Sequence, residues 1–532
     1  MEFPVMKRRD FLAGSAALPL AAPAVWAAGD PKVLKFVPQA DIALLDPHFS
    51  SALVTRNHAN MVYDQLYGVD DAARPRPQMA EGHVIEDDGK TWKITLREDL
   101  RFHDGQPVLA RDAVASLKRW AKRDVYAISV FSQVDDLSAV SDKVLQFRLK
   151  RPFRLLADLL GKPTPYSSAI MPERLAVQAP GQQVTEIIGS GPYKFVMRER
   201  VPGSLAVYER NADYVPRTDG PPVGTAGPKI ANFDRVEWHT IPDPATAAGA
   251  LQAGEVDWWE QPTSDLLPLL RKRSDVTVDI VDTLGYMGVM RFNHLYPPFD
   301  NAGVRRALLG AFSQADMMQA VAGEDPSMWK AGVGFYSPMS AFANDAGMEV
   351  MNSPRDLSKV KRDLAAAGYN GEKFIFLVPT DLPAINAMSE VAADVFHKLD
   401  MNMDYQALDW ATVAQRLLSQ EPLDKGGWSL NANYAPGFSA MSPAAHSFMR
   451  GIGRQALFGW PTMPKVEELR SAWIDSTDPA EQKQICREIQ LQAFRDVPYI
   501  LLGSFFFASA YRSDLTGLLK GGVAQFTNVR RV

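Results

Sequence analysis

Short β-branched runs alternate along this chain with helices that carry their own start and stop signals, and that alternation limits the fold more than any other feature. Residues 92–96 place Trp92, Ile94 and Leu96 on one face and Lys93 and Thr95 on the other, the period-two pattern of a half-buried strand. Residues 144–149 repeat it with Leu145, Phe147 and Leu149, and strands are also expected at 33–37 and 233–241. Asp243-Pro244 can cap and open a helix that closes at Gly254, and Asp478-Pro479-Ala480-Glu481 opens another. Apolar stripes predict helices over 304–322, 356–367 and 384–399. The turn-rich stretch 216–228 is expected to be an exposed loop. Such a pattern argues for an α/β fold rather than a bundle or a sandwich.

At 532 residues the chain is too long for one core, and 46% hydrophobic residues supply ample material to bury. The net charge of −5 and the lack of a long basic run leave no electrostatic footprint for nucleic acid. Cys486 is the only cysteine, so neither an intrachain disulfide nor a cysteine metal cluster nor an N-terminal lipid anchor is expected. No apolar run reaches the roughly 20 residues needed to cross a bilayer. Lys7-Arg8-Arg9, Phe11-Leu12 and the weakly apolar run ending at Ala27 read as a signal peptide over 1–27, and the paired arginines resemble a twin-arginine export motif. Either Met1 or Met6 could start the chain.

Catalytic motifs are missing. There is no Gly-x-Ser-x-Gly elbow, no phosphate-binding Gly-x-x-x-x-Gly-Lys and no zincin helix. The eight histidines never fall at i, i+4, so no metal site or cofactor is expected. Aromatic residues beside small or polar ones are the more promising material: Trp258, Trp259, Tyr286, Trp428 and the run Asn431-Ala432-Asn433-Tyr434. Each is individually more often core than ligand contact.

The stretch 87–120, DDGKTWKITLREDLRFHDGQPVLARDAVASLKRW, carries Phe102-His103-Asp104-Gly105 at its centre. It is followed in order by Gly189-Ser190-Gly191-Pro192-Tyr193, Asn211-Ala212-Asp213-Tyr214, Gly254-Glu255-Val256-Asp257 and Pro298-Phe299-Asp300 with Val304-Arg305-Arg306. Together these motifs resemble the peptide/opine/nickel class of periplasmic solute-binding proteins that serve ABC importers, over essentially the whole chain after the signal. The resemblance implies a two-lobed, class II periplasmic binding protein fold of Venus-flytrap type, with an additional subdomain inserted in the first lobe. It divides the chain into 28–55 (first lobe), 56–185 (inserted subdomain), 186–285 (first lobe again), 286–497 (second lobe) and 498–532 (return to the first lobe), with hinges at 286–293 and 496–502. A small solute, ABC permease subunits, the periplasm and a monomer without a membrane anchor are implied with it.

Departures from that pattern bear on the solute. Dipeptide receptors of the family follow a Gly-Trp pair with an acidic residue three positions after the Trp, which receives the peptide ammonium; here Gly427-Trp428 leads to Asn431. The arginine that holds the peptide carboxylate falls at Leu382. An ordinary zwitterionic dipeptide is therefore not expected; a neutral solute is, or a cationic one if Asp381 faces the cleft. Trp428, Trp258, Trp259, Tyr286 and Tyr434 are the expected stacking surfaces, with Asn431, Asn433 and Asp381 as polar partners and no catalytic residue. Two other readings stand beside this one: an exported hydrolase using dispersed carboxylates such as Asp257 and Glu260, and a sensor or chaperone on the same fold.

Overall fold

A computed structural model describes residues 32–163, 165–179 and 181–532. The expected signal peptide and its cleavage point lie outside the described residues.

Among the described residues, three sheets of four or more strands organise the fold. The first has seven strands in the order Val276–Asp279, Ser509–Arg512, Trp258–Trp259, Val33–Val37, Arg235–His239, Leu205–Arg210, Tyr193–Phe195. The second has six: Trp329–Lys330, Tyr499–Phe505, Tyr286–Phe292, Leu430–Pro436, Phe374–Pro379, Met403–Leu408. A four-stranded antiparallel sheet, Ala80–Glu86, Thr91–Leu96, Val144–Leu149, Val134–Ala139, forms a separate unit. Helices cover these sheets, as an α/β chain requires. Trp92, Ile94 and Leu96 are buried, and Trp92 and Ile94 register against Phe147 and Leu145, so the alternation visible in the sequence is a real pleat.

The chain crosses between the first two sheets twice, at 280–285 and 506–508. The four strands that flank those crossings are paired: Asp279 registers with Ser509 in the first sheet, and Tyr286 with Phe505 in the second.

Local signals explain the helix ends. Asp243 accepts the Thr246 amide and Gly254 closes the same helix at φ 74°. Asp478 caps Pro479–Asp496, and Asp356 caps Leu357–Ala366. The stripe over 304–322 is not one helix: it is Ala302–Leu309 and Gln314–Ala322. Gly310 weakens the run, and the Ser313 hydroxyl accepts the Asp316 amide and starts a new helix.

Three expected boundaries move. Tyr499–Phe505 is wholly buried and pairs with Tyr286–Phe292, so the return to the first sheet comes after residue 505 and not at 498. Helix Leu53–Val62 packs Val54, Ala59, Met61 and Val62 into the core of the first sheet, so the four-stranded unit begins after it. The loop 216–228 is exposed only over 218–222; on either side Arg217 donates to the Ala80 carbonyl and Thr225 Oγ1 takes the Val69 amide, and both residues are buried.

Candidate functional site

Where the two larger sheets meet, aromatic rings gather. Tyr286 opens its strand at the crossing, and Tyr434 arrives from the neighbouring strand, two pairs removed in register. Their rings meet edge to face at 5.3 Å, and Phe505 and Phe507 complete a four-ring cluster with centroid separations of 5.0–6.1 Å. Such edge-on contacts add to the burial of apolar area. Two cavities flank the cluster. A small one of about 40 Å³ is lined by Trp258, Glu260, Asp282, Tyr286, Phe507 and Ser509. It has room for ordered water rather than for a solute.

The larger cavity has a volume of about 320 Å³, at the lower end for a small organic ligand. Its wall is drawn from both halves of the molecule: Ser51, Arg56, Arg123, Tyr126, Lys162 and Tyr166 on one side, Tyr434, Phe438, Phe448, Arg450, Leu457 and Arg470 on the other. Segments more than 400 residues apart in sequence thus share one pocket.

Arg56 lies between the two cavities. It is 5% exposed, its Nε has no hydrogen-bond partner, and burial lowers its pKa against the attraction of Tyr286, Asp282 and Glu260. Those carboxyls are themselves committed. Glu260 accepts the Gln39 amide (2.8 Å) and Asn57 Nδ2 (2.6 Å), and burial raises its pKa. Asp282 accepts the amides of Leu284 (3.1 Å) and Gly285 (3.3 Å), and burial pushes it up to about 7. Lys162 pairs with Asp124 at 2.5 Å. Arg470 donates to the carbonyls of Pro443 and Ala444, and burial brings it down to about 10. Arg450 pairs with Glu467 at 3.1 Å, while Arg123 donates to the Phe49 carbonyl and lies 4.6 Å over the Phe49 ring.

The residues singled out from sequence fall in different places. Tyr434 lines the larger cavity, and Trp258 and Tyr286 line the smaller one, with Trp258 Nε1 donating to Ser509 Oγ at 2.6 Å. Trp259, next along the strand, faces the opposite side and packs with Val37, Leu251 and Val276. Trp428 is fully buried in a satellite core with Ile375, Leu377, Val413, Leu417 and Trp460. Asn431 is fully buried and its Nδ2 donates to the Leu377 carbonyl. Asn433 Nδ2 donates to Asn431 Oδ1, and Asn433 Oδ1 takes the Tyr434 amide. Asp381 is exposed and accepts the Trp410 amide at 2.8 Å, ahead of helix Trp410–Arg416. Asp257 ties Lys35 N and the Arg531 guanidinium together. Arg56, Arg123 and Lys162 carry no motif and were not visible before their segments were brought together.

A family model described as "Bacterial extracellular solute-binding proteins, family 5 Middle" matches residues 74–450. The chain is 33% identical over 499 residues, 92% of each chain, to the "Probable peptide ABC transporter periplasmic-binding protein y4tO" of Sinorhizobium fredii. It is 23% identical over 539 residues to the glutathione-binding protein GsiB of Pectobacterium atrosepticum, covering 97% of this chain and 96% of that one. Among solved structures it superposes on AgaA of A. tumefaciens R10 in complex with agropinic acid with TM-score 0.79, at 19% identity and 94% and 99% coverage. On the dipeptide-binding protein of Pseudoalteromonas sp. SM9913 in complex with Met-Leu the TM-score is 0.75, at 21% identity and 94% and 100% coverage. At these identities the structural matches establish a shared two-lobed fold.

Proposed function

We propose, for a chain that belongs to the bacterial extracellular solute-binding proteins of family 5, the role of a non-catalytic receptor that captures a small organic solute between two lobes and delivers it to an ABC transporter. The observation that carries this reading is the cavity of about 320 Å³ with walls from both lobes. A solute there contacts both sides only when the lobes are together, so binding favours the closed form by that differential contact. The closed form is then what the permease recognises. The family works with such permeases, and its members are exported.

Several finer readings go with it. The receptor resides in the periplasm as a monomer, after removal of a signal peptide over 1–27. The first lobe comprises 32–62, 186–285 and 506–532, the inserted subdomain 63–185, and the second lobe 286–505; the first core and the sheet memberships support the limits at 62, 285 and 505. No helix among the described residues is long and apolar enough to cross a membrane. The solute is peptide-like or another small organic molecule, not an ordinary zwitterionic dipeptide. The carboxylates weighed for a hydrolase, Asp257 and Glu260, each spend their oxygens on structural partners.

Thermal shift against peptides, opines, sugars and amines tests the reading, followed by recovery of the bound compound. A receptor gains about 2.7 kcal/mol of stability at a hundredfold excess of ligand over Kd and returns the solute unchanged. Chemical conversion of the solute would refute it.

A further inference from the structure

Five cations line the larger cavity, Arg56, Arg123, Lys162, Arg450 and Arg470, and no carboxylate does. Three of them are held by neighbours: Lys162 by Asp124, Arg450 by Glu467, and Arg470 by two carbonyls. The other two make no ion pair at contact distance, although Asp282 and Glu260 attract Arg56 from the side of the smaller cavity. Among the described residues neither Arg56 nor Arg123 has a carboxylate within ion-pair distance. Arg56 is the sharper case, since it is more than nine-tenths buried and its Nε has no partner. A buried guanidinium that no carboxylate contacts directly is costly, and an anion bound in the cavity would offset that cost.

Two further observations point to the same place. Arg56 belongs to the first turns of helix Leu53–Val62, whose N-cap Ala52 supplies no side-chain cap, and Ser51 just before it also lines the cavity. The positive end of that helix therefore opens beside the two arginines. Burial depresses the Lys162 ammonium, and the Arg56 charge adds to that depression against the pull of Asp124, so two cations repel each other at the cavity wall. The rest of the lining sets the aromatic residues Tyr126, Tyr166, Tyr434, Phe438 and Phe448 among small and apolar ones.

We propose that the cavity selects an organic carboxylate that has no free ammonium group, with its anionic head held by Arg56 and Arg123 and its apolar body against the tyrosines. This rests on the receptor reading above and narrows it. An arginine fork matches a carboxylate in geometry as well as in charge. An ammonium would meet no acid in the lining, because Asp282 and Glu260 face the smaller cavity beyond Arg56. The neutral or cationic solute expected from the missing family anchors gives way for that reason.

The test uses the mature chain and matched probes: N-acetyl-phenylalanine and N-acetyl-leucine as free acids, each against its primary amide and against the unacylated zwitterion. Calorimetry and thermal shift are read at 50 and 500 mM salt. The free acids should bind at least tenfold more tightly than the amides and the zwitterions, and their advantage should shrink at high salt. Arg56→Gln and Arg123→Gln should each remove that advantage, while Arg56→Lys restores part of it. If Arg56→Gln does not fold, Arg123→Gln, at a less buried position, decides the matter. Equal binding of acids and amides, no binding of any acid, or acid binding untouched by both substitutions overturns the proposal. Native mass spectrometry of the purified protein separates the two levels: a retained neutral or cationic solute that closes the lobes in small-angle scattering defeats the anion proposal and leaves the receptor reading standing. A retained acid that produces no closure defeats the receptor reading.

Discussion

Arg151 and Asp475, 324 residues apart in sequence, approach to 3.5 Å and join the four-stranded unit to the helix Pro464–Asp475 of the second lobe. Both are about half exposed, at 47% and 51%, so solvent screens the pair and its contribution stays within about 0.2–1 kcal/mol. On the receptor reading proposed above, this contact would be made only when the two parts are together, so that energy would belong to the closed form. Asp475→Asn should weaken solute binding no more than about fivefold at low salt, and the difference should vanish in 0.5 M salt. Calorimetry at the two ionic strengths checks it; a salt-independent loss would mean that the pair does something other than latch.

Tyr434 and Trp428 sit six residues apart and should behave in opposite ways. Tyr434 stands at the cavity with its ring on Tyr286, so Tyr434→Ala should lower affinity at least tenfold for a modest loss of stability. Trp428 is packed in a satellite core and its buried Nε1 has no partner, so Trp428→Phe removes an unsatisfied donor along with some volume. We expect a change in stability of about 1 kcal/mol or less and affinity within twofold of wild type. Denaturation and titration of the two variants side by side would expose a reversal.

Gly437 holds the crossing tightly. A Cβ there would lie 1.9 Å from the Leu284 carbonyl oxygen, and its amide donates to the Gly285 carbonyl at 2.7 Å. Backbone has to move to admit a methyl group. Gly437→Ala should therefore lower Tm by several degrees, an effect of about 2 kcal/mol or more. A Tm equal to wild type in a scanning calorimeter would show that the segment yields easily.

Acid should destabilise the protein between pH 6.5 and 4. Burial lowers His58 to about 3 and His446 and His103 to about 4, so each is neutral in the fold and gains a proton on unfolding. Their contribution is present above pH 6.5 and is lost as the pH falls toward their folded values. Asp282 works the other way: raised to about 7 by burial, it favours the fold below pH 4 and loses that contribution as the pH rises through 7. Asp158, raised to about 6, Glu260 and Asp112 act in the same sense as Asp282, but the histidines lowered by burial, which also include His48, His83 and His294, outnumber these carboxyls in the overlapping window. Tm should then fall from pH 6.5 to 4, and Asp282→Asn should raise Tm at pH 8 while leaving it nearly unchanged at pH 4. Thermal melts across that range measure both slopes.

Where one segment decides its own structure, the sequence could be read. Asp243, Asp356 and Asp478 cap their helices by hydrogen bonds to amides two or three residues away, and Trp92, Ile94 and Leu96 alternate because a pleat alternates. The break at Gly310 to Ser313 was hidden by a continuous apolar stripe, since both halves pack on the same core. The cavity was harder. Arg56, Arg123, Lys162, Arg450 and Arg470 converge from five segments, and an isolated arginine reads as a surface residue until its neighbours are known. Trp428 carries the opposite lesson: an aromatic beside small residues looks like a contact surface, yet its ring meets Trp460 and Phe458 inside the second lobe.

The two crossings leave each sheet from strands that are hydrogen-bonded neighbours, Asp279 beside Ser509 at one end and Tyr286 beside Phe505 at the other. Two short straps fixed side by side at both ends form a flat band. A band bends readily across its width and resists twisting, because twisting would shear the paired strands that anchor it. Motion of the lobes on the receptor reading would thereby be reduced to essentially one rotation, which would bring Arg56 and Tyr434 back to the walls of the same cavity.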